Sequence, residues 1–387
     1  MEYKLKELFD LQMGKTPSRN NSDYWNTKDN KWISIADLSK CEKYITDTKE
    51  YISDIAIKES GINPIPANTV VMSFKLSIGK TAITKEVIYS NEAIMSFRDK
   101  KTIELLPDYT YYLMMSKRWD EGTNKAVMGK TLNKATLSEI KVSVHDIAEQ
   151  QRIVNILDKV VDLIDKRKKQ LEKLDELVKS RFIELFGDCL TNPKGWKTKC
   201  LEDIADVGSS KRVFVEELRE DGIPFFRGTE VGALAEGKSV SPELFITEEH
   251  YAALCSATGA PQIGDLLMPS ICPDGRIWVV NTDKPFYFKD GRVLWVHSID
   301  ISFNPVFLLY TLKDRIMTDY NSIASGTTFA ELKIFALKKC RVFDAPLDLQ
   351  NEFAAFVEQV DKSKSEIKQG LEKLELLKKA LMQKYFG

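Results

Sequence analysis

The sequence lacks the patterns that mark metal-binding, disulfide-rich and membrane proteins. It has three histidines, and its cysteines form no CxxC pair (Cys41, Cys189, Cys200, Cys255, Cys272 and Cys340). Neither a zinc site nor a disulfide framework is therefore expected. There is no apolar run of 18 residues, and the start at Met1-Glu2-Tyr3-Lys4 has no secretory signal. We expect a chain that stays in the reducing cytoplasm and does not span a membrane.

Catalytic motifs are also missing. Gly-Lys-Thr occurs at 14–16, 79–81 and 129–131, but the glycine that a phosphate-binding loop needs five positions earlier is replaced by Phe9, Phe74 and Asn124. Asn304-Pro305-Val306-Phe307 is close to the Asn-Pro-Pro-Phe tetrad of adenine methyltransferases, but it lacks the second proline and a preceding glycine-rich cofactor loop. We expect a turn entering a helix there.

Other catalytic signals fail as well. His145, His250 and His297 lie in no triad-like context, and no spacing of acidic residues indicates a nuclease. The chain is therefore predicted to be non-catalytic, with any catalysis belonging to partners. A self-contained enzyme with an unrecognised active site stays an alternative.

An excess of positive charge is also absent. The 56 Lys and Arg residues are balanced by 57 Asp and Glu residues, so the formal net charge is −1. Many nucleic-acid-binding proteins carry a large positive excess. Because cations can be segregated on one face, the balance neither indicates nor excludes DNA binding.

The feature that organises the chain is a repeated helix. Residues 150–187 and 350–387 share 11 of 38 positions at a constant offset of 200, and both copies end in Phe-Gly. Apolar residues recur in alternating steps of four and three, which predicts a coiled-coil helix. No proline interrupts either copy, and a helix of this length spans roughly 55 Å.

Cations interrupt the apolar seam at different places in the two copies. Arg167 and Arg181 do so in the first, and Lys364 and Lys378 in the second. Such interruptions can set the register of two unlike seams, whereas a symmetric homodimer would stack like charges. We predict that the two helices pair within the chain as an antiparallel coiled coil. Two separate amphipathic helices, each packed on its own domain, are the alternative.

The segments between the helices repeat as well, at an offset of 196. Leu201 matches Leu5, Lys211 matches Lys15, Met268 matches Met72, and Gly275-Arg276 match Gly79-Lys80. Strands are predicted at 32–38, 69–74 and 81–87 and a helix at 109–119, with strand counterparts at 223–230 and within 264–280. No regular strand-helix alternation appears, so each segment is predicted to be a mixed α/β domain.

The predicted fold class is thus α+β, with a pseudo-two-fold internal repeat. Two similar mixed domains, 1–147 and 188–346, alternate with the repeat helices, 148–187 and 347–387.

With this order of parts, the sequence resembles the DNA sequence-specificity subunits of type I restriction-modification systems. The resemblance rests on the opening Tyr3-Lys4-Leu5-Lys6-Glu7-Leu8 with Gly14-Lys15-Thr16-Pro17-Ser18, and on Glu149-Gln150-Gln151-Arg152-Ile153 leading a helix that ends Leu185-Phe186-Gly187-Asp188. Gly195-Trp196-Lys197 then opens the second half. That half departs from the pattern with Ser209-Ser210-Lys211-Arg212 and Gln350-Asn351-Glu352-Phe353.

The resemblance implies a function. Each segment would be a target recognition domain that reads one half of a split site in double-stranded DNA. The helices would fix the gap between half-sites and dock two methyltransferase subunits, through which endonuclease and translocase subunits join. S-adenosylmethionine, ATP and magnesium would bind those partners, with no cofactor on this chain. Half-sites one helical turn apart lie some 34 Å apart on one face of the duplex.

Reading bases requires side chains that reach the groove edges, with other cations on phosphates. Two loops recur at matching positions in the two halves and supply such groups. In the first half we predict contacts from Lys15, Thr16, Ser18, Arg19, Asn20, Lys75, Ser77 and Lys80. In the second half we predict contacts from Ser210, Lys211, Arg212, Arg227, Thr229, Asp274 and Arg276.

A different class of function stays open from the residues alone. The near-zero charge favours a non-catalytic coiled-coil scaffold whose globular domains bind protein partners.

Overall fold

The computed structural model describes residues 1–25, 27–75, 77–117, 119, 133–326 and 330–387. The Gly-Lys-Thr sequence at 129–131 lies outside them. The chain divides into two compact units, one formed by Met1–Lys169 with Lys368–Gly387 and the other by Gln170–Ile367. Each unit combines small sheets with helices, which confirms the predicted mixed α/β content.

The first unit is built on a five-stranded sheet of order β2-β9-β6-β7-β4, beside a three-stranded sheet β5-β3-β8 and the pair β1-β10. The strands are β1 Glu2–Lys4, β2 Phe9–Met13, β3 Asn30–Ile33, β4 Tyr44–Ile45, β5 Glu50–Ile52, β6 Val70–Ser73, β7 Thr81–Thr84, β8 Tyr89–Ser90, β9 Ile94–Asp99 and β10 Lys141–Ser143. The helices are α1 Leu5–Leu8, α2 Ile35–Leu38, α3 Asp54–Ser60, α4 Pro107–Ser116, α5 Lys134–Glu139 and the start of α6 Ile147–Phe186, with a 3-10 turn at Ser22–Tyr24.

The second unit repeats this topology. Its sheet order β12-β18-β15-β16 matches β2-β9-β6-β7, and the parallel pair β13-β17 matches β3-β8. The strands are β11 Thr198–Cys200, β12 Asp206–Gly208, β13 Ile223–Phe226, β14 Phe245–Ile246, β15 Leu266–Pro269, β16 Trp278–Val279, β17 Tyr287–Phe288, β18 Val293–His297, β19 Ala324–Ser325, β20 Glu331–Leu332 and β21 Arg341–Phe343. The helices are α7 Gly228–Ala235, α8 Glu248–Thr258, α9 Pro305–Ile323, α10 Ile334–Lys338 and the first part of α11 Leu347–Phe386, with 3-10 turns at Leu201–Asp203 and Val215–Glu217. The end of α6 also belongs to this unit, and the end of α11 belongs to the first unit.

The predicted internal repeat is confirmed. Strand β6 begins at Val70 and β15 at Leu266, which is the offset of 196 seen in the sequence. Gly79 and Gly275, which precede the return strands, both have a left-handed φ, of 88° and 66°. Glycine adopts this conformation at little cost, which explains why the two turns share it. The strand-loop-strand unit is therefore the same structure in both halves.

One strand prediction was wrong in both halves. The expected strands at 32–38 and 223–230 end at Ile33 and Phe226, and helices α2 and α7 follow. The Asp37 carboxylate accepts a hydrogen bond from the Ser34 N–H at 3.0 Å, and the Glu230 carboxylate accepts one from the Arg227 N–H at 2.8 Å. An acidic residue three positions into a turn caps the N-terminus of a helix, so these sequences begin helices.

The helix predicted at 109–119 is observed as α4, which begins earlier at Pro107 and ends at Ser116. The turn predicted at Asn304 is also observed, because its side chain accepts a hydrogen bond from Val306 N–H at 2.9 Å and caps α9. Proline follows as the first helical residue, where its missing N–H costs nothing.

The repeat helices α6 and α11 each have 40 residues, and a helix of that length measures about 60 Å. Helix α6 ends at Phe186, directly before Gly187.

Within the second unit, the helices run antiparallel. Asp175 pairs with Lys364 at 2.6 Å, whereas Arg181, further along α6, pairs with Glu352, which is earlier on α11. In the first unit, Lys168 pairs with Glu375 at 3.8 Å. The seam cations Arg181 and Lys364 thus face carboxylates of the other helix, as the register argument requires. Two pairs fix the direction in the second unit, where the predicted antiparallel pairing is confirmed.

A buried glutamine near the start of each repeat helix bonds to the domain that precedes that helix. The Gln150 side chain accepts a hydrogen bond from Leu106 N–H at 3.0 Å and donates to the carbonyls of Glu104 and His145 at 2.9 and 3.0 Å. Gln350 makes the same three bonds, to Asn304 N–H and to two carbonyls, 2.8 to 3.1 Å long. Both side chains are at most 1% exposed. The amide satisfies backbone groups in the loop that leads to α4 or α9.

Replacing Gln150 by leucine tests this connection. The Gln150→Leu variant leaves one buried N–H and two carbonyls without partners, and orphaned buried groups cost roughly 1 to 3 kcal/mol each. We expect the free energy of unfolding to fall by about 3 kcal/mol, measured by urea denaturation. Gln151→Leu is the matched control, because Gln151 is exposed on the same helix. Equal losses in the two variants would contradict a stabilising role for the Gln150 amide.

Candidate functional site

In the first unit, the two predicted loops meet at Glu92, in the turn before β9. Thr16 donates a hydrogen bond to the Glu92 carboxylate. That bond lowers the pKa of Glu92, and the positive charges of Lys75 and Arg19 lower it further against the opposing effect of burial. The loop after β2 and the loop after β6 therefore share one electrostatic environment. Glu92 itself was not among the predicted residues.

The loop after β2 is tied closely to the strands beneath it. Lys15 N–H donates to the Ser90 carbonyl at 2.8 Å, and the Lys15 carbonyl accepts a bond from the Trp32 indole at 3.1 Å. The Lys15 ammonium donates to the Ser60 carbonyl. A Cβ atom on Gly14 would lie 2.1 Å from the Ser90 oxygen. Only glycine therefore fits at the first position of this loop.

Arg19 lies between two aromatic rings and a carboxylate. Its guanidinium carbon is 3.8 Å from the Trp25 ring centre and 5.0 Å from that of Trp32. Glu50 accepts bonds from both terminal nitrogens, and this pairing raises the pKa of Arg19. Stacking of this kind fixes the plane of an arginine. Arg19 is thus held in one orientation, with one edge occupied by Glu50.

The remaining predicted residues of the first unit are more open. Ser18, Asn20, Ser77 and Lys80 are exposed, and the Lys75 ammonium is 5.4 Å from the Phe74 ring centre. The backbone at Lys80 is nevertheless fixed, because Lys80 N–H donates to the Ser73 hydroxyl at 3.1 Å and Ser73 N–H donates to the Lys80 carbonyl at 2.9 Å. The loop therefore presents Lys80 from a defined backbone.

In the second unit, three predicted residues line one recess of about 480 Å³. They are Arg227, Thr229 and Arg276, and the lining also includes two basic residues that were not predicted, Lys289 and Arg292, with Gly228, Pro269, Ser270 and Ile271. The recess lies between the N-terminus of α7, the end of β15 and the turn before β18. Backbone bonds hold these elements together, from Ser270 N–H to the Arg292 carbonyl and from Lys289 N–H to the Phe226 carbonyl, both at 2.9 Å.

Carboxylates orient the arginines of this recess. Arg227 donates to Glu230 at 2.6 Å and to Glu243 at 3.1 Å. Burial alone would raise the pKa of Glu230, but the bonds from Arg227 and Thr229 outweigh it and lower the pKa to about 2. This carboxylate therefore stays ionised at neutral pH.

The other two arginines are also paired. The Arg276 Nε atom is 2.8 Å from Asp274, and Arg292 pairs with Glu331. The Asp274 carboxylate thus serves to orient Arg276.

The predicted residues Ser210, Lys211 and Arg212 make different contacts. The Ser210 hydroxyl donates to the Phe288 carbonyl at 2.6 Å, and Lys211 N–H donates to the Tyr287 hydroxyl at 2.9 Å. Arg212 is exposed and lies 5.3 Å from the Phe214 ring centre. The Ser210 side chain therefore supports the fold of the loop, while the side chains of Lys211 and Arg212 remain exposed.

Lys289 and Arg292 carry a sequence signal. They flank a polar turn between the apolar runs Tyr287-Phe288 and Val293–His297, at the place that Asn91 and Glu92 hold in the first half. The strands pair Val70 with Phe97 and Leu266 with Val296, so the offset here is 199 and no longer 196. A comparison of the two halves at the fixed offset of 196 therefore misses this turn.

The described part of the chain contains neither a metal-binding group of side chains nor a membrane-spanning helix. No group of three or more His, Cys, Asp or Glu side chains there is arranged to hold a metal ion. None of the helices there is both long enough and apolar enough to cross a bilayer.

Changing Gly14 to alanine tests the packing of the first loop. The added methyl group would clash with the Ser90 carbonyl, and overpacking of this kind costs about 1 to 3 kcal/mol. We expect the free energy of unfolding to fall by about that amount in urea denaturation. Gly208→Ala is the control, because a Cβ atom at Gly208 would meet open space. An unchanged stability for Gly14→Ala would show that the loop does not depend on this contact.

The family model of the type I restriction modification DNA specificity domain matches residues 1–176 and again residues 193–376. The specificity subunit of the type I restriction enzyme MjaIX from Methanocaldococcus jannaschii is 27% identical over 382 residues, which cover 92% of this chain and 85% of that protein. The EcoR124I/EcoR124II specificity subunit from Escherichia coli is 27% identical over 186 residues, 46% of this chain and 44% of that protein.

Two solved structures share the fold. The type I restriction-modification S subunit from M. genitalium has a TM-score of 0.55 at 14% identity, covering 100% of this chain and 96% of that one. A chain from a structure of complex assembly and conformational transition in the type I R-M system has a TM-score of 0.62 at 16% identity, covering 99% and 96%. At these identities the likeness concerns the fold.

Proposed function

The chain belongs to the type I restriction modification DNA specificity family, and from this premise we propose how its parts divide the work of reading DNA. It is a specificity subunit with two DNA recognition domains. In our proposal, the domain at 1–147 reads one half of a split target and the domain at 188–346 reads the other half. The observation that carries the proposal is that one strand topology occurs twice and bears different charged loops at the same positions. A repeated scaffold with unlike loops suits two unlike half-sites.

We propose that the predicted loop residues make the contacts with DNA. In the first domain, Thr16 donates a hydrogen bond to Glu92, and in the second domain three of the predicted residues line a basic recess. Side chains presented by a fixed backbone suit base reading, because a contact is specific only when its geometry is defined. Lys80, which is exposed on such a backbone, is our leading candidate in the first domain. Arg19 can contact DNA through its remaining donors while Glu50 holds one edge.

Chemistry belongs to the partners in this proposal. The repeat helices dock two methyltransferase subunits, which bind S-adenosylmethionine, and endonuclease and translocase subunits that use ATP and magnesium join through them. The chain itself would neither methylate nor cleave DNA. Antiparallel helices of similar sequence offer two related surfaces, which fits two copies of one partner.

A lysine substitution in one loop tests the division into half-sites. The complex of this chain with its methyltransferase subunits is expected to modify adenines in a two-part motif, which methylation mapping of a host genome would reveal. Lys80→Gln should weaken binding through one half-site only, by about 1 to 3 kcal/mol if a base contact is lost. Binding is measured on duplexes in which either half-site is scrambled.

Lys101→Gln is the control for this experiment, because Lys101 follows the far end of β9 and is 82% exposed. Equal losses at both half-sites for Lys80→Gln would point to a folding or docking defect. If the complex binds no DNA sequence in preference to random DNA, the proposal is wrong and a protein-binding scaffold is the better reading.

Lengthening the helices tests their role as a spacer. One heptad added after Gln170 and another after Ile367 keeps the seam in phase and lengthens each helix by about 10 Å, the rise of three base pairs. We expect the mapped motif to keep both half-sites and to gain about three base pairs in its gap. An unchanged gap in an active complex would contradict the proposal that the helices set it.

A further inference from the structure

The basic recess of the second domain has a character that its counterpart in the first domain lacks. Four cationic side chains, Arg227, Arg276, Lys289 and Arg292, line one cavity. At the matching turn of the first domain, the residues are Asn91, Glu92 and Ala93. The concentration of cations is therefore specific to one domain, although the two backbones follow the same strand order.

The four cationic side chains of the recess offer only hydrogen-bond donors. Arginine has five N–H donors, lysine has three, and neither has an acceptor. The Thr229 hydroxyl donates its proton to Glu230 at 2.8 Å, and Ser270 is only 3% exposed. Each ion pair found here occupies only part of the donors that its arginine carries. A ligand that fits must therefore present acceptors.

The arginines are also held in place before any ligand arrives. Neighbouring carboxylates form ion pairs with Arg227, Arg276 and Arg292, so the guanidinium planes have defined orientations. These ion pairs can remain while DNA binds. Side chains that are oriented before binding lose less conformational entropy when they bind. Among the described residues, no carboxylate lies within ion-pair distance of Lys289.

We propose that this recess receives the major-groove edge of a guanine in the half-site read by the second domain. Guanine presents two acceptors there, N7 and O6, whereas adenine and cytosine each present a donor and thymine presents a methyl group. Arg276 and Arg292 are assigned as specificity-determining residues, and Lys289 as a contact to a neighbouring phosphate. The assignment rests on the proposed function, since it presupposes that the domain at 188–346 reads DNA bases.

A glycine in α7 gives a way to move one arginine without removing any charge. A Cβ atom on Gly232 would lie 2.9 Å from Arg276 Nη1, which is the far end of a flexible side chain. Alanine is also favoured over glycine within a helix. Gly232→Ala should therefore leave the fold intact while it displaces the guanidinium that we assign to the base.

The experiment uses the assembled complex with methyltransferase subunits and its mapped target. Duplexes are made in which single guanines are replaced by 7-deazaguanine, which lacks the N7 acceptor. For the wild-type complex, replacement of one guanine in the second domain's half-site should weaken binding about tenfold. Arg276→Gln, Arg292→Gln and Gly232→Ala should each weaken binding to the natural target through that half-site, and at least one of them should become insensitive to 7-deazaguanine.

Two controls accompany these variants. Arg341→Gln removes an exposed arginine of the same domain on β21, outside the recess, and should bind as the wild type does. Lys289→Gln should weaken binding to all sequences alike and lower the slope of log affinity against log salt by about 1. Thermal unfolding of each variant separates loss of fold from loss of reading.

The outcomes distinguish the two levels of the proposal. The inference is overturned, and the proposed function kept, if the complex binds its two-part target but its second half-site contains no guanine, or if the recess variants bind it as tightly as the wild type. If the wild-type complex has no preferred DNA sequence, the proposed function fails and the inference fails with it. Selective loss at one half-site, with insensitivity to 7-deazaguanine, supports the inference.

Discussion

A buried glutamine amide fastens each repeat helix to the domain that precedes it. The side chains of Gln150 and Gln350 each satisfy one N–H and two carbonyls in segments that would otherwise bury unpaired backbone groups. A packing contact alone tolerates sliding, whereas three directed hydrogen bonds fix an angle. In the proposed function, each recognition domain must keep a constant orientation on its helix. The two glutamines therefore explain how a domain with variable loops can remain in a fixed frame.

Around this shared bond, the two domains use different chemistry to bind their helices. In the first unit, Lys43 contacts Asp108 and Asp158 at 2.6 Å each, and the hydroxyls of Tyr44 and Tyr112 donate to the same carboxylates. In the second unit the helix contacts are aromatic, with Phe182, Phe186, Phe307 and Phe353 packed against one another. The conserved hydrogen bonds and the divergent packing indicate that geometry is shared between the copies while side-chain chemistry is free to change.

The sequence predicted those parts of the fold that depend on regular patterns. The repeat of the helices and the matched turns at Gly79 and Gly275 follow from periodicity and from backbone conformations that glycine favours. The strands expected at 32–38 and 223–230 failed because a run of apolar residues does not show where a strand ends. There the deciding signal was an acidic residue three positions beyond the N-cap, at Asp37 and Glu230.

The site was harder to predict than the fold. Lys289 and Arg292 belong to the recess because strand pairing brings the turn before β18 beside the end of β15, and the sequence offset of that turn differs from that of the preceding strands. Likewise, the sequence does not indicate that Thr16 would bond to Glu92, which lies 76 residues further along the chain. Contacts of this kind depend on distances between segments that lie far apart in the chain.

The near-neutral charge of the chain is compatible with a protein that reads DNA bases. The arginines of the recess and Arg19 are each matched by nearby carboxylates, so the residues that orient them also cancel their charge in the total of −1. Non-specific affinity for DNA grows with the number of unpaired cations that meet phosphates. A surface whose cations are paired on the protein side gives up part of that affinity, but it keeps donors with defined directions. In the DNA contacts that we propose, the same pairing therefore favours selectivity between sequences over tight binding to any duplex.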